Sequence, residues 1–272
     1  MPSISGLTRF VGILADPIAH VMAPGLLNAL YASRGEDVVM VPMHVRPEQL
    51  GQVVQGLRGI ASFDGFVATI PHKTAVPALC DTLTPQARQA GAVNIVRRTP
   101  EGRMIGGLLD GLGFVAGLRA SGIEPRGLRA YVAGAGGAGS AIAWALAAAG
   151  VRRLTLANRT APRAQALAQR IAGQHPGVEV AAGGADPSGH DLVVNGTSLG
   201  MGPGDALPLD AAKLEPSQIV AEIIMKPAET ALMAAARARG CRVQPGLPML
   251  SAQVALMAGF MRGDPALVGD AS

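Results

Sequence analysis

The sequence predicts an α/β protein, in which buried strands alternate with helices. Short apolar runs alternate with segments of helical period along most of the 272 residues. Aliphatic residues are plentiful while aromatic residues make up 3% of the chain, which suits helices layered on a sheet. A glycine-dense turn at 134–139 joins one apolar run to an alanine-rich segment. A chain of this length forms one large or two small domains and can bury a substantial core.

The first half of the chain predicts strands separated by helices, followed by a short antiparallel pair. Proline ends two of the strands, at Pro17 and Pro71, and Pro47 falls where a first helical turn tolerates it. In chain order we predict strand 10–14, helix 24–33, strand 38–43, helix 47–57, strand 63–70, helices 72–79 and 85–90, strands 93–97 and 103–105 as the antiparallel pair, and helix 112–121.

The second half continues the alternation after a domain boundary at 122–127. In chain order we predict strand 130–133, an alanine-rich helix after the glycine turn, strand 154–157, helix 163–172, strands 178–181, 191–195 and 219–224, helix 229–239, strand 241–244 and an apolar helix at 247–261 that returns to the first domain. We expect 268–272 to be frayed. The loop at 196–208 follows a buried strand, where ligands of open α/β sheets lie.

The glycine turn has the pattern and the context of a dinucleotide-binding unit. Its six residues are Gly134, Ala135, Gly136, Gly137, Ala138 and Gly139. Gly134 permits a tight turn, Gly136 permits close approach of a pyrophosphate, and Gly139 permits close packing of helix on strand. The following helix N-terminus offers unpaired N–H groups and a positive dipole end to the phosphates.

Two other interpretations of this stretch remain. A membrane span is one, since residues 130–151 carry no charge and are long enough to cross. Its glycine-rich first third and few large apolar side chains argue against that interpretation. The other is a buried hairpin without a ligand, which does not explain the number of glycines. We therefore predict no membrane partner.

Composition excludes several classes of function. The net charge of +4 comes mostly from scattered arginines, and aromatic residues that would stack bases are few, so we predict no nucleic-acid partner. Two cysteines and five histidines show no metal-ligand spacing, and we predict no metal site. The first residues lack a secretory pattern, and with so few cysteines we expect a cytoplasmic location.

Lys73 and Asp110 are the candidates for proton chemistry in the first half. Each is an isolated ionisable residue at the end of an apolar run. A partly desolvated lysine can exchange protons with a substrate hydroxyl, and a nearby carboxylate would orient it. The alternatives from pattern alone are a solvated lysine and an aspartate in a turn.

The chain resembles the shikimate dehydrogenase family over nearly its whole length, through motifs whose order and spacing are together specific. These motifs are Asp16-Pro17-Ile18-Ala19-His20, Thr69-Ile70-Pro71-His72-Lys73, Gly91-Ala92-Val93-Asn94, Asp110-Gly111, Gly134-Ala135-Gly136-Gly137-Ala138, Asn158-Arg159-Thr160, Asn195-Gly196-Thr197-Ser198 and Gly246-Leu247-Pro248-Met249-Leu250. The resemblance implies an α/β substrate domain built from both chain ends, 1–112 and 245–272. It also implies a Rossmann doubly wound, parallel-sheet dinucleotide-binding domain between them, at 113–244.

The same resemblance implies an activity and a set of site residues. Family members interconvert a ring hydroxyl and a ketone with a nicotinamide cofactor, and they occur as monomers or homodimers. Their catalytic lysine and aspartate correspond to Lys73 and Asp110. Their polar substrate contacts correspond to Thr69, Asn94 and Gln253. The motifs at Thr197, Ser198 and Gly246 are assigned to the cofactor side.

Departures from the family pattern change the expected substrate pocket. Two family serines that hold the substrate carboxylate are replaced here by Val21 and Ala23. Other polar positions of the family are also apolar here, namely Val67, Leu108, Leu109 and Met225. Leaving a carboxylate unpaired in such a pocket is unfavourable, so we expect weak turnover of shikimate. The alternatives are a local slip in the alignment, or an arginine that binds the carboxylate instead.

The end of the strand after the glycine turn indicates which dinucleotide binds. An NAD enzyme usually has Asp or Glu at this position, whereas this chain has Asn158, followed by Arg159, Thr160 and, one helical turn later, Arg163. Guanidinium groups suit a 2′-phosphate, so we predict NADP, with NAD as the alternative. Together with this cofactor, the resemblance implies a dehydrogenase for a shikimate- or quinate-like cyclic polyol. The alternatives are an NAD-using quinate or aminoshikimate dehydrogenase, and a non-catalytic redox sensor that binds the dinucleotide.

Overall fold

The computed structural model describes residues 4–268, and the chain forms two compact units. The first unit contains Met1–Leu109 and Gln253–Ser272, and the second contains Asp110–Ala252. The predicted domains, 1–112 with 245–272 and 113–244, stay predictions, because a compact unit is not by itself a substrate or cofactor domain. Across residues 4–268, no helix combines the length and the apolar character needed to cross a membrane.

The first unit is built on a mixed sheet of six strands. Its elements are β1 (Arg9–Ala15), α1 (Ala23–Ser33), β2 (Val38–His44), α2 (Leu50–Arg58), β3 (Phe63–Ala68), β4 (Thr82–Leu83), α3 (Pro85–Ala90), β5 (Ile95–Arg98) and β6 (Met104–Gly107). The strand order is β2-β1-β3-β5-β6-β4. Strand β5 is antiparallel to both β3 and β6, while the other pairs are parallel. The predicted antiparallel pair is confirmed.

The second unit is built on a wholly parallel sheet of six strands. Its elements are α4 (Asp110–Ala120), β7 (Arg129–Ala133), α5 (Gly137–Ala148), β8 (Arg153–Ala157), α6 (Ala161–Gln174), β9 (Glu179–Gly183), β10 (Leu192–Asn195), β11 (Ile219–Glu222), α7 (Ala231–Ala238) and β12 (Arg242–Gln244). The strand order is β12-β11-β10-β7-β8-β9, which is the doubly wound order. The direction of winding reverses between β7 and β10, where ligands of such sheets bind. The predicted α/β fold class is confirmed.

Helix α8 (Leu247–Arg262) crosses the boundary between the two units, and α9 (Pro265–Val268) follows it. Within the first unit, Phe260 of α8 is fully buried, and a Cβ on Gly107 would lie 2.5 Å from its ring. Arg97 also donates a hydrogen bond to the Met261 carbonyl at 3.2 Å. The predicted helix at 247–261 is therefore correct, and its second half completes the core of the first unit.

Several predicted elements differ from the structure. The predicted helix at 72–79 is instead two 3₁₀ turns, His72–Thr74 and Val76–Leu79, because Pro77 has no N–H to continue a helix. The short strand β4 and a 3₁₀ turn at Ala211–Lys213 were not predicted. Val268, expected to be frayed, is helical and buried, and the rest of that prediction lies outside the described residues.

Candidate active site

The glycine turn between β7 and α5 is shaped by contact with the chain that follows β10. Gly134 has a φ of +107°, and a Cβ there would lie 2.9 Å from both the Gly196 carbonyl oxygen and Thr197 Cγ2. A Cβ on Gly139 would lie 2.2 Å from the Gly134 carbonyl oxygen. Both positions therefore require glycine for packing within the second unit, whether or not a ligand is bound.

Gly136 differs from these two glycines because no packing contact requires it. Its φ of −81° and ψ of −172° are ordinary extended backbone, and no atom lies within 4 Å of a Cβ built there. The residue precedes the twelve-residue helix α5, whose first N–H groups and positive dipole end attract anions. The open space beside Gly136 thus fits the pyrophosphate of a dinucleotide.

Asn158, at the end of β8, holds the glycine turn in place. Its Oδ1 accepts a hydrogen bond from the Ala135 N–H at 3.1 Å, and its Nδ2 donates to the Thr160 carbonyl at 3.0 Å. Thr160 occupies the N-cap position of α6 without a side-chain cap hydrogen bond. The neutral Asn158 therefore supports the turn and adds no negative charge at this end of β8.

Arg159 and Arg163 give this end of β8 a positive surface. Both side chains are exposed. Within residues 4–268 neither guanidinium has an ion-pair or hydrogen-bond partner, unlike Arg153 at the opposite end of β8, which lies 3.3 Å from Glu179. Two guanidinium groups without a carboxylate partner match the requirements of a 2′-phosphate.

The chain after β10 is ordered by hydrogen bonds from Asn195. Its Oδ1 accepts from the Thr197 N–H at 3.0 Å and from Thr197 Oγ1 at 2.7 Å, and its Nδ2 donates to the Leu199 carbonyl at 3.0 Å. The Thr197 hydroxyl in turn accepts from the Leu199 N–H at 3.1 Å. Thr197 therefore shapes the turn, while the neighbouring Ser198 is exposed.

Glu222, the last residue of β11, is a buried carboxylate that the sequence interpretation missed. It is 1% exposed and accepts hydrogen bonds from Asn195 Nδ2, from Thr230 Oγ1 and from the backbone N–H groups of Ile223 and Ile224. Burial raises the pKa of Glu222, and these hydrogen bonds lower it in part. The available signal was a single acidic residue at the end of the apolar run Ile219–Glu222.

Gly246 lies where the chain passes close to the end of the neighbouring strand. A Cβ at this position would lie 2.5 Å from the Ile224 carbonyl oxygen, within the second unit. The glycine therefore permits a close backbone approach beside Met225, one of the apolar departures, which is half-buried.

The candidate substrate residues of the first unit lie at one edge of its sheet, namely the edge formed by the strand ends of β3 and β6. Thr69 follows β3 and donates its N–H to the Leu14 carbonyl at 3.0 Å. Asn94 precedes the antiparallel β5, and its backbone pairs with Ala68 at 2.8 Å and with Gly107 at 3.0 Å. Because β5 runs opposite to β3 and β6, these residues share the edge at which β3 and β6 end.

Lys73 lies at the same edge, in the 3₁₀ turn His72–Thr74. Its carbonyl accepts a hydrogen bond from the Val93 N–H at 2.8 Å, next to Asn94. The preceding His72 is 1% exposed, and its Nε2 lies 2.8 Å from the Val45 carbonyl oxygen. This buried histidine, whose role the sequence did not reveal, fixes the turn that carries Lys73.

The remaining predicted substrate residues are a buried glutamine and two apolar residues after β1. Gln253 is 4% exposed and Ala23 is 4% exposed, whereas Val21 is half-buried. The Val21 N–H donates to the Ile18 carbonyl at 3.2 Å, so this backbone donor is already used in a turn. Neither apolar side chain can form a hydrogen bond with a carboxylate. The weak turnover of shikimate expected for that reason stays a prediction.

Asp110 begins α4 and is 3% exposed. It is thus a helix residue rather than part of the turn considered from the sequence. A Cβ on the adjacent Gly111 would lie 2.2 Å from the Ala141 carbonyl oxygen, so α4 packs tightly on α5 within the second unit. In the first unit, Asn94 Oδ1 accepts from the N–H of Leu109, the residue before Asp110, at 2.9 Å. Asp110 and Lys73 belong to different units, and their pairing stays a prediction.

A metal centre finds no support in the part of the chain that the structure describes. Among residues 4–268, no group of three or more His, Cys, Asp and Glu side chains is arranged to hold an ion. The polar side chains predicted for substrate and proton chemistry carry hydroxyl, amide, amino and carboxyl groups, which by their type suit proton transfer and hydroxyl recognition.

Known proteins resemble this chain along most of its length. The family model for the shikimate dehydrogenase substrate binding domain matches residues 13–96, and the model for shikimate / quinate 5-dehydrogenase matches residues 120–181. A shikimate dehydrogenase (NADP(+)) of Rubrobacter xylanophilus is 44% identical over 259 residues, which covers 92% of this chain and 89% of the relative.

Two solved structures share the fold at similar levels of identity. Shikimate 5-dehydrogenase of Thermus thermophilus, in complex with NADP(H) and shikimate, is 33% identical with a TM-score of 0.84, over 96% of this chain and 97% of that one. The 5-ketofructose reductase of Gluconobacter sp. strain CHM43 is 32% identical with a TM-score of 0.82, over 96% of each chain.

Proposed function

Because the chain belongs to the shikimate dehydrogenase family, we propose that it transfers a hydride between NADP(H) and a cyclic polyol, at a secondary hydroxyl or its ketone. The predictions of the family, of an alcohol dehydrogenase and of NADP as cofactor agree with its relatives and are confirmed at that level. The observation that carries the proposal is the open space at Gly136 on a turn that is hydrogen-bonded to Asn158. Arg159 and Arg163 follow Asn158 and have no side-chain partner among residues 4–268, so this part of the second unit suits a phosphorylated dinucleotide.

When bound, NADP(H) supplies or accepts the hydride at the carbinol carbon. In the oxidation direction Lys73 takes the proton of the substrate hydroxyl, and in the reduction direction it returns a proton to the carbonyl oxygen. Asp110 orients the lysine and stabilises its charged form. Thr69, Asn94 and Gln253 position the substrate hydroxyls, since their amide and hydroxyl groups can both donate and accept.

Replacing Lys73 by alanine tests this mechanism. We expect Lys73→Ala to lower turnover by at least about 100-fold, the typical contribution of a positioned acid–base group, and to leave NADPH binding intact. Lys213→Ala is the matched control, because Lys213 pairs with Asp186 at 2.5 Å and its side chain is 48% exposed. Unchanged turnover in Lys73→Ala would contradict the mechanism. NADPH binding by the unaltered chain, without turnover of any polyol, would favour the redox sensor instead.

A second candidate substrate class is a polyhydroxy ketone that has no carboxylate. Val21 and Ala23 offer no side-chain hydrogen bond to an anion, and one structural relative of 32% identity is a 5-ketofructose reductase. An unpaired buried carboxylate is strongly unfavourable, so the absence of a carboxylate removes the penalty of such a pocket. Reduction of 5-ketofructose and oxidation of shikimate and quinate, measured side by side as kcat/KM, separate the two classes.

The paired substitution Val21→Ser and Ala23→Ser tests the same pocket by introducing the two hydroxyls of the family pattern. We expect the two introduced hydroxyls to lower KM for shikimate and to leave KM for a carboxylate-free ketone unchanged. If shikimate affinity does not improve, the missing hydroxyls are not what weakens it.

A size-exclusion measurement of the unaltered chain decides between the predicted monomer and homodimer.

A further inference from the structure

The carboxylate of Glu222 begins a series of hydrogen bonds that passes through Asn195 and ends in the turn at 195–199, which packs on the glycine turn. Resting on the proposed function, we propose that Glu222 is a positioning residue for the cofactor. Its ionised carboxylate fixes the orientation of the Asn195 amide, and through it the turn at 195–199 that packs on Gly134. Neither residue was assigned a role from the sequence.

Every hydrogen bond that the structure shows to this carboxylate, within residues 4–268, is one that it accepts. The Ile223 N–H donates at 2.8 Å and the Ile224 N–H at 3.1 Å. Thr230 Oγ1 donates to Glu222 Oε2 at 3.0 Å and accepts from the Met233 N–H at 3.3 Å. Donated hydrogen bonds favour the ionised, acceptor-only form of this carboxylate and so oppose the effect of its burial.

The acceptor-only carboxylate determines which way the Asn195 amide faces. Asn195 Nδ2 donates to both oxygens of Glu222, at 3.1 Å and 3.0 Å. Its Oδ1 therefore faces the opposite direction, where it accepts from the N–H and the hydroxyl of Thr197. A reversed amide would place a donor against the Thr197 N–H and leave the turn without its acceptor.

The turn at 195–199 packs directly against the glycine turn. The Gly196 N–H donates to the Ala133 carbonyl at 2.7 Å, which joins the end of β10 to the end of β7. A Cβ on Gly134 would touch both the Gly196 carbonyl oxygen and Thr197 Cγ2, so no space separates the two segments. A shift of the 195–199 turn must therefore move the backbone that faces the pyrophosphate.

The isosteric substitution Glu222→Gln tests the proposal, because it keeps the size of the side chain and replaces one acceptor oxygen by a donor. We expect the introduced amide to disrupt the pairing with Asn195 and to raise the Kd for NADPH about tenfold, the equivalent of one lost hydrogen bond. KM for the polyol at saturating NADPH stays unchanged. Kd is measured by titration of nicotinamide fluorescence, and Tm is recorded for each variant.

The swapped pair Asn195→Asp with Glu222→Gln provides a partial rescue. It again places an acceptor opposite the Thr197 N–H and a donor opposite an acceptor, but it does not restore the hydrogen bond to the Leu199 carbonyl. We expect the pair to bind NADPH more tightly than Glu222→Gln alone and less tightly than the unaltered chain. Gln218→Met is the matched control, since Gln218 is equally buried in the same unit and donates to the Pro187 and His190 carbonyls, away from the glycine turn. It should lower Tm without changing the Kd.

The proposal is overturned if Glu222→Gln leaves the NADPH Kd unchanged, or if Gln218→Met raises the Kd as much for the same loss of Tm. If Glu222→Gln does not fold, Thr197→Val breaks the far end of the same chain of hydrogen bonds. The proposal then requires a rise in Kd from that variant, and an unchanged Kd overturns it. Failure of the unaltered chain to bind NADPH would instead refute the proposed function itself.

Discussion

Alanine substitutions at Gly136 and Gly139 should separate cofactor binding from folding within a single turn. A Cβ at Gly136 meets no atom within 4 Å and fits the extended backbone. Loss of unfolded-chain freedom favours the fold by about 0.4–1 kcal/mol, and the poorer N-cap offsets this by up to about 1 kcal/mol. We expect Gly136→Ala to leave the free energy of unfolding within about 1 kcal/mol of the unaltered chain.

The same methyl group would occupy the space in which we place the pyrophosphate. Losing one or two charge-assisted hydrogen bonds there raises the NADPH Kd about 10- to 100-fold. Gly139→Ala behaves differently, because its Cβ would lie 2.2 Å from the Gly134 carbonyl oxygen. Overpacking of this kind lowers stability by about 1–3 kcal/mol.

Thermal unfolding and NADPH fluorescence titration of both variants measure the two effects. The expected pattern is a Tm close to that of the unaltered chain with weak NADPH binding for Gly136→Ala, and a Tm several degrees lower for Gly139→Ala. Near-normal NADPH affinity in Gly136→Ala would refute the assignment of this space to the pyrophosphate. A marked loss of Tm in the same variant would show that the space is not open.

Two further predictions concern charge. Arg159→Gln should raise the Kd for NADPH about tenfold while that for NADH stays unchanged, because only NADPH carries the 2′-phosphate; Arg153→Gln, at the far end of β8, should change neither. Burial raises the pKa of Tyr131 to about 12, so its neutral phenol stabilises the fold fully below about pH 10, and this contribution is lost as the pH rises towards 12. The Tm of Tyr131→Phe should therefore fall less steeply with pH across that interval. An equal slope of Tm against pH in both proteins would contradict the raised pKa of Tyr131.

The elements of the parallel sheet were predictable because local pattern determines them. The run from Arg129 to Ala157 alternates apolar strand, glycine turn and helix, and each segment is long enough for its period to show. The 3₁₀ turns at 72–79 were not predictable from apolar spacing, since the effect of Pro77 on so short a segment outweighs the helical period.

Residues of the candidate site could be proposed where they belong to a motif, and could not where their placement depends on long-range contacts. Gly134, Gly139 and Gly246 appear as motif positions, yet their packing partners lie elsewhere in the chain and cannot be read from local sequence. The pairing of Asn195 with Glu222 joins residues 27 positions apart on adjacent strands. Such a pair becomes visible only when the strand order is known.

The participation of α8 in the first unit has a consequence for folding during synthesis. Phe260, which packs on Gly107, leaves the ribosome only after the whole of the second unit has been made. Domains generally fold in the order of their synthesis, but here the sheet begun first lacks part of its core until the later segment arrives. During synthesis the first unit therefore stays incomplete until α8 has been made, whereas the second unit is a single continuous segment. We expect chaperones to bind the incomplete first unit.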